Sequence, residues 1–199
     1  MLRSLVGSEM CIRDRDIYMI YEKIGNILEQ TDAPYICHQV NCKGVMGAGL
    51  ARQIKPLLTQ EQFGQYQTVC AKYGAGCLGK IQLFPLQDKS KRTIVNIFGE
   101  NIPTEHQCDT DYVALKNGLL AIARIAYQEK KAVAIPGMIG CGLAGGDWQF
   151  VYKSILLPIF ENRLVDLFIF WLNEDLNEKG NELIRYTDHN PIISVSYTH

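Results

Sequence analysis

Two glycine-rich stretches, at 38–51 and 135–148, constrain this chain more than any other feature of its sequence. Each begins where a short apolar, strand-like run ends, and each leads into a segment with helical spacing. Glycine lets the backbone reach positive φ and approach a ligand closely. The start of a helix offers unpaired N–H groups to an anion. Two such loops at one edge of a sheet would form a cradle for a diphosphate.

Segments with strand-like and helix-like patterns alternate along the chain. Strands are predicted where apolar or β-branched residues run together, at 17–23, 35–40, 80–84, 93–98, 132–136 and 164–172. Helices are predicted, with breaks near Pro56 and Pro158, at 49–58, 61–73, 109–130 and 147–160. This order indicates a three-layer α/β/α fold with a mixed, mostly parallel central sheet. Ligands in such folds bind at the carboxyl ends of strands, where both glycine stretches begin.

Composition limits the class of protein. The net charge of −1 and a pI near 6.4, without a basic stripe, give no reason to expect broad nucleic-acid binding. Seven cysteines occur without a Cys-x-x-Cys pair, which indicates reduced structural thiols, a cytoplasmic location and no zinc. No metal or cofactor is expected. No apolar run reaches the roughly 18 residues that a membrane-spanning helix needs, so no membrane association is expected.

The chain length of 199 residues suits one domain, expected at 16–186. Residues 1–15 resemble translated adapter sequence and are interpreted as a non-native leader. The tail at 187–199 is interpreted as at least partly non-native for the same reason. A genuine tail without fixed structure is the alternative at each end.

Several short motifs occur together in the order and spacing of a known family. They are Gly25-Asn26-Ile27, Val40-Asn41-Cys42, Gly47-Ala48-Gly49, Asn96-Ile97-Phe98-Gly99, Asp111-Tyr112-Val113-Ala114-Leu115 and Ile139-Gly140-Cys141-Gly142-Leu143. On these motifs the chain resembles a macrodomain, the ADP-ribose-binding module, over roughly residues 20–173. Within that family it is most similar to the ADP-ribose 1″-phosphate phosphatase branch, which carries a histidine before the Asn-Cys pair, as at His38. Similar macrodomains occur in bacteriophages and bacteria.

The resemblance implies where ADP-ribose would bind. Asn41 and Phe98 would lie at the distal ribose, while Asn26, with Ile27 beside it, would meet the adenine amino group. Backbone N–H groups would hold the diphosphate, from Gly47, Ala48, Gly49, Gly140, Cys141, Gly142 and Leu143.

Two departures from the family pattern change what we expect. Many macrodomains have Asp at the position of Asn26, and an amide accepts a hydrogen bond without the assistance of charge, so adenine binding is expected to be weaker. Gly99 and Glu100 stand where one branch of the family carries a lysine that removes ADP-ribose from protein or DNA. Lysine-dependent chemistry is therefore not expected.

His38 and Asp147 are the candidate catalytic residues. Cleavage of a phosphomonoester needs an attacking water, stabilisation of charge and a proton for the leaving oxygen. Histidine ordinarily titrates near neutral pH, so His38 would act as general acid or base, and Asp147 would orient or activate water. The structural alternatives are a hydrogen-bonding role for His38 and an N-cap role for Asp147. Three further residues are interpreted mainly as packing residues: Cys42, Cys141 and Trp148.

The leading hypothesis is a monomeric hydrolase that converts ADP-ribose 1″-phosphate to ADP-ribose and phosphate. A module that binds ADP-ribose without turnover is one alternative. Another is an ADP-ribosyl ester hydrolase that acts on ADP-ribosylated protein or nucleic acid. A nicotinamide-dependent dehydrogenase is excluded because no Gly-x-Gly-x-x-Gly follows the first strand.

Overall fold

The computed structural model describes residues 19–104, 107–161 and 165–185. Within these ranges six strands form one sheet in the order β1-β6-β5-β2-β4-β3. The strands are β1 (Ile20–Ile24), β2 (Tyr35–Asn41), β3 (Ile81–Pro85), β4 (Thr93–Glu100), β5 (Val133–Pro136) and β6 (Leu167–Trp171). β3 pairs antiparallel with β4, and all other neighbouring strands are parallel. The predicted mixed, mostly parallel sheet is confirmed.

Helices lie between most of the strands, and one more helix follows the last strand. They are α1 (Ile27–Gln30), α2 (Gly49–Ile54), α3 (Gln60–Tyr73), α4 (Tyr112–Glu129), α5 (Trp148–Phe150), α6 (Leu157–Phe160) and α7 (Glu174–Arg185). Short 3₁₀ turns follow α2 and α3, at Lys55–Leu57 and Gly74–Cys77. None of the helices in the described ranges combines the length and apolarity needed to cross a bilayer.

The central strands of the sheet are buried on both faces, which confirms the three-layer α/β/α architecture. On β4, Val95 and Ile97 join the core under α4, whereas Ile94 and Phe98 join the core under α3. Alternate residues of a strand point to opposite faces, so a strand covered on both sides must be apolar almost throughout. The continuous apolar runs in the sequence therefore belong to the central strands.

The predicted break near Pro158 is a π-helical turn at Val151–Leu156, between α5 and α6. Proline has no N–H to donate, and its ring collides with the carbonyl one turn earlier. A wider turn of helix relieves that collision without ending the segment. Residues 148–160 therefore run as one interrupted helical segment along the sheet.

Two helices differ from the sequence prediction. The prediction of a turn at 25–27 missed the short helix α1, and the prediction ended at the last strand without α7. α7 is mostly polar, but it buries Ile184 and lays Gly180 against the Trp171 indole, where a Cβ would be 2.1 Å from a ring carbon. The predicted leader at 1–15 and tail at 187–199 lie outside the described residues.

Candidate functional site

A cleft of about 460 Å³ opens at the carboxyl ends of β2, β4 and β5. Its walls come from the first loop (42–48, between β2 and α2), the second loop (137–147, between β5 and α5) and the end of β4. The cleft is lined by eight of the predicted site residues: His38, Asn41, Gly47, Ala48, Gly49, Gly140, Gly142 and Leu143. The structure thus brings both glycine stretches to one cavity, at the edge of the sheet that the sequence indicated.

The side chain of Asn41 shapes the first loop. Its Oδ1 accepts hydrogen bonds from the N–H groups of Lys43 at 3.0 Å and Val45 at 3.2 Å. Its Nδ2 donates to the carbonyl of Val45 at 2.8 Å, and the Tyr66 hydroxyl donates to the Asn41 carbonyl at 2.8 Å. Asparagine side chains commonly form such hydrogen bonds with nearby backbone groups, and these bonds take the place of those in a helix or strand. The conformation of the first loop is therefore fixed by side-chain hydrogen bonds rather than by regular backbone pairing within the loop.

A short hydrogen-bond chain holds the second loop against the sheet. Gln39 Nε2 donates to the Thr110 hydroxyl at 2.9 Å, and that hydroxyl donates to the Gly140 carbonyl at 2.6 Å. The Gly146 N–H donates to the same carbonyl at 3.0 Å. Gly140 has φ +72, and a Cβ there would be 2.8 Å from Gln39 Oε1, so only glycine fits this position without strain. Thr110 therefore couples β2 to the second loop.

Replacing Thr110 with valine is expected to make the second loop more mobile without changing how the side chain at position 110 fills its space. Valine has the size of threonine but no hydroxyl, so Gln39 Nε2 loses its partner and the Gly140 carbonyl loses a donor. Losing these partly buried hydrogen bonds should accelerate amide hydrogen exchange at 140–146 by about tenfold. Exchange monitored by mass spectrometry would test this. Thr110→Ser keeps the hydroxyl and should exchange like the wild type; equal acceleration in both variants would contradict the coupling.

Backbone N–H groups of the two loops are available to a ligand. The described structure provides no protein acceptor for the N–H groups of four residues that line the cleft: Gly47, Ala48, Gly142 and Leu143. Unpaired N–H groups beside a helix start favour an anion. No lysine or arginine is among the described residues that line the cleft. Anion recognition there would depend on the backbone.

His38 lies at the floor of the cleft and is almost fully buried. Its Nε2 is 2.6 Å from Oδ1 of Asn96 on the neighbouring strand, and Nδ1 has no partner in the described structure. Burial lowers the pKa of His38 to about 4, although the bond to Asn96 acts in the opposite direction. The imidazole is therefore neutral at physiological pH. Its catalytic role, which we inferred from an ordinary pKa, stays a prediction.

The burial of neutral His38 should make the protein less stable in mild acid. Between pH 6.5 and about pH 4 the unfolded chain binds a proton at His38 and the folded chain does not. Stability contributed by the neutral ring is complete above pH 6.5 and is lost as pH falls, by up to about 3 kcal/mol. Urea unfolding from pH 7.5 to pH 4 would measure the slope. His38→Gln cannot titrate, so its slope should be smaller than that of the wild type; equal slopes would contradict this assignment.

Five predicted site residues lie outside the cleft lining in the described structure: Asn26, Ile27, Phe98, Cys141 and Asp147. Asn26 caps α1, because its Oδ1 accepts from Leu28 N–H at 3.0 Å and its Nδ2 donates to Glu29 at 3.0 Å. Asp147 caps α5 by accepting from Gln149 N–H at 2.9 Å, which confirms the N-cap interpretation. The ligand and water-orienting roles of these five residues stay predictions.

Two apolar residues of that group are core residues, and so is Trp148. Ile27 and Phe98 are buried in one core cluster, and Trp148 packs edge-on against Trp171 with 5.5 Å between the ring centroids. Burial raises the pKa of the Cys141 thiol to about 12 and that of Cys42 to about 11. A thiol that remains protonated is a poor nucleophile, which agrees with the packing interpretation of both cysteines.

Sequence reasoning missed several cleft residues, among them Gln39, Glu100 and Asp109. Glu100 ends β4, and the rule that ligands bind at carboxyl ends of strands could have identified it. Asp109 stands at the start of the helix predicted at 109–130, but α4 begins at Tyr112 and the residue that caps it is Asp111. Gln39 lies inside an apolar strand, where no periodic signal distinguishes it.

Comparisons with known proteins agree with this architecture. The family model described as "Macro domain" matches residues 37–155. A curated ADP-ribose 1″-phosphate phosphatase from Saccharomyces cerevisiae (strain YJM789) is 37% identical over 75 residues, or 37% of this chain. A DNA ADP-ribosyl glycohydrolase from Mycobacterium tuberculosis (strain ATCC 25618 / H37Rv) is 29% identical over 157 residues, or 76% of this chain. This chain spans only 42% of the length of each of these two relatives.

Solved structures show the same fold. The macrodomain of Mycobacterium tuberculosis DarG superposes with a TM-score of 0.65 at 28% identity. The superposition covers 77% of this chain and 97% of that one. The family model covers more than half of the chain, so this protein belongs to the macro domain family.

Proposed function

We propose that this protein binds ADP-ribose in the cleft and hydrolyses a derivative of ADP-ribose at its distal ribose. The observation that carries the proposal is the pair of glycine loops whose N–H groups line one cleft and have no acceptor in the described structure. The oxygens of a diphosphate would supply those acceptors. The names of the two curated relatives both refer to ADP-ribose, which supports this choice of ligand.

The adenine end of the ligand would receive little help from charged groups. The Oδ1 atom of Asn26 caps α1, so it already accepts a hydrogen bond from the Leu28 N–H before any adenine binds. An amide in this state offers a weaker contact than a free carboxylate. The diphosphate and the distal ribose would therefore supply most of the affinity.

The chemical step would use water held near His38. When Nε2 donates to Asn96, Nδ1 remains as a buried acceptor without a partner in the described structure, and a water molecule that enters from the cleft would donate to it. The low pKa makes the ring a weak base, so orientation of water contributes more than removal of its proton. ADP-ribose 1″-phosphate and ADP-ribosylated DNA are the two substrates that the relatives' names suggest.

A module that binds ADP-ribose without turnover is the second candidate. Two observations favour it: His38 is neutral and hydrogen-bonded to Asn96, and Asp147 is used as a helix cap outside the cleft lining. Neither residue is placed in the described structure as a ready general acid.

Calorimetric titration of the full chain with ADP-ribose, with adenosine as the control ligand, tests binding. Assays of phosphate release from ADP-ribose 1″-phosphate, and of ADP-ribose release from modified DNA and protein, test turnover. Binding together with release of either product would support the hydrolase, and His38→Gln should then lower kcat more than it weakens binding. Binding without release would favour the module. A folded sample that binds no ADP-ribose would refute both.

A further inference from the structure

Three polar side chains lie side by side on β2, β4 and the edge strand β3. His38 is opposite Asn96 in the pairing of β2 with β4, and Asn96 is opposite Gln82 in the pairing of β4 with β3. Residues that are opposite each other point to the same face of a sheet. On β4, Ile94 and Phe98 point to that face too, and both belong to one buried core cluster. We call His38, Asn96 and Gln82 the polar row; it runs from the cleft to the edge of the sheet through an apolar core.

Three buried atoms of the polar row have no hydrogen-bond partner in the described structure. They are His38 Nδ1, Asn96 Nδ2 and Gln82 Oε1. Asn96 is fully buried, and its Oδ1 lies 2.6 Å from His38 Nε2. A buried donor or acceptor without a partner costs stability. The free donor on Asn96 and the free acceptor on Gln82 belong to residues that face each other, so a rotation of the Gln82 side chain would pair them.

The order of donors and acceptors along the polar row sets which nitrogen of His38 carries the proton. With its Nδ2 toward Gln82 Oε1, Asn96 presents Oδ1 to His38 Nε2, and an oxygen that only accepts requires the proton on Nε2. With the Asn96 amide turned over, its oxygen would face the oxygen of Gln82, and neither atom could donate. Burial lowers the pKa of His38 to about 4, so at neutral pH the ring has a single proton to place.

We infer that Asn96 and Gln82 are positioning residues for His38, which hold its proton on Nε2 and leave Nδ1 as an acceptor. His38 lines the cleft, whereas Gln82 acts from outside the described lining. A ring with a free Nδ1 accepts a hydrogen bond from water, and a ring protonated at Nδ1 donates one, so the two tautomers orient water in opposite ways. As a contribution to hydrolysis the inference rests on the proposed function, but the place of the proton does not depend on it.

Nitrogen-15 NMR of the full chain at pH 7.5 tests the tautomer directly, because protonated and unprotonated ring nitrogens resonate far apart. The signals that disappear in His38→Gln belong to His38, and in the wild type they should show the proton mainly on Nε2. Gln82→Leu removes the acceptor for Asn96 at a half-buried position of an edge strand. The ratio of Nδ1-protonated to Nε2-protonated ring should then rise about fivefold, which corresponds to one ordinary hydrogen bond. Asn96→Leu removes the partner of Nε2 itself and should raise the ratio further.

Gln65→Leu is the matched control for Gln82→Leu. It makes the same change at an exposed residue of α3, whose Nε2 donates to Glu61 at 3.3 Å. Its tautomer ratio should equal that of the wild type. A wild-type ring with its proton on Nδ1, or the same ratio in Gln82→Leu and Gln65→Leu, would show that the polar row does not set the tautomer.

Turnover of the ADP-ribose derivative that the wild type hydrolyses gives a second readout. Asn96→Leu should lower kcat by about tenfold or more with KM close to that of the wild type, because orientation of water is lost and ligand binding is not. A shifted tautomer with an unchanged kcat would overturn the positioning role. If the wild type hydrolyses no ADP-ribose derivative, the proposed hydrolysis and the positioning role fail together, while the NMR comparison still decides where the proton lies.

Discussion

Gly142→Ala is expected to weaken ADP-ribose binding by about tenfold or more while leaving the folded protein as stable as the wild type. A Cβ at Gly142 meets no atom within 4 Å in the free protein, and its φ lies outside the positive range. The added methyl therefore costs little in the fold. The methyl group lies on the second loop, whose N–H groups line the cleft. The backbone of that loop must come within hydrogen-bonding distance of the diphosphate, and a methyl group there keeps the two apart. Calorimetric titration and urea unfolding of the same sample would measure both quantities.

Gly64→Ala is the matched control for that experiment. Gly64 lies inside α3, and a Cβ there also meets no atom within 4 Å. Alanine in the middle of a helix should stabilise the protein by about 0.5–1 kcal/mol, because it restricts the unfolded chain. ADP-ribose affinity should not change. If Gly142→Ala binds ADP-ribose as tightly as Gly64→Ala does, the diphosphate does not contact the second loop at that residue.

The architecture was predictable because the central strands carry a strong pattern. β2 and β4 are buried on both faces, and a run such as 93–98 admits few other interpretations. α3 and α4 have apolar spacing that matches the faces they bury, with capping residues before them. The place where the sheet binds ligands followed from the strand order and the glycine stretches.

α7 was not predictable from its own sequence. Its residues are mostly polar or charged, and Gly180 lowers the helix propensity of its centre. Tertiary contacts form it: Ile184 is buried, and the missing side chain of Gly180 lets the Trp171 indole approach. A contact between a glycine and a distant tryptophan leaves no local pattern, so sequence reasoning ended one helix too early.

Side-chain roles in the site were harder to predict than its location. The sequence motif predicted that His38 and Asn41 lie at the cleft. It did not predict which groups form hydrogen bonds with their side chains. Asn96, one strand away, takes His38 Nε2, and the loop backbone takes both ends of the Asn41 amide. Such partners depend on strand register: His38 and Asn96 face each other because β2 pairs with β4 in that alignment. Register is set by the whole sheet and cannot be derived from a short motif.

Asn41→Ala is expected to reduce ADP-ribose affinity by about a hundredfold and to lower the free energy of unfolding by about 2–4 kcal/mol. The variant loses the bonds to the N–H groups of Lys43 and Val45 and the bond to the Val45 carbonyl. Those backbone groups are partly buried, so they lose a partner without full access to water. The first loop then has no fixed arrangement, and the N–H groups of Gly47 and Ala48 are no longer held toward the cleft.

Asn173→Ala is the control for Asn41→Ala. It removes a similar hydrogen bond between an asparagine side chain and the backbone, but at a place outside the cleft. Asn173 precedes α7, and its Oδ1 accepts from the Leu176 N–H at 2.9 Å, so it has the same kind of bond outside the cleft. Its replacement should cost about 1 kcal/mol of stability and leave ADP-ribose affinity unchanged. Urea unfolding and calorimetry of the two variants give the comparison. If Asn41→Ala loses stability but still binds ADP-ribose normally, the first loop contributes no part of the diphosphate site, and recognition must rest on the second loop alone.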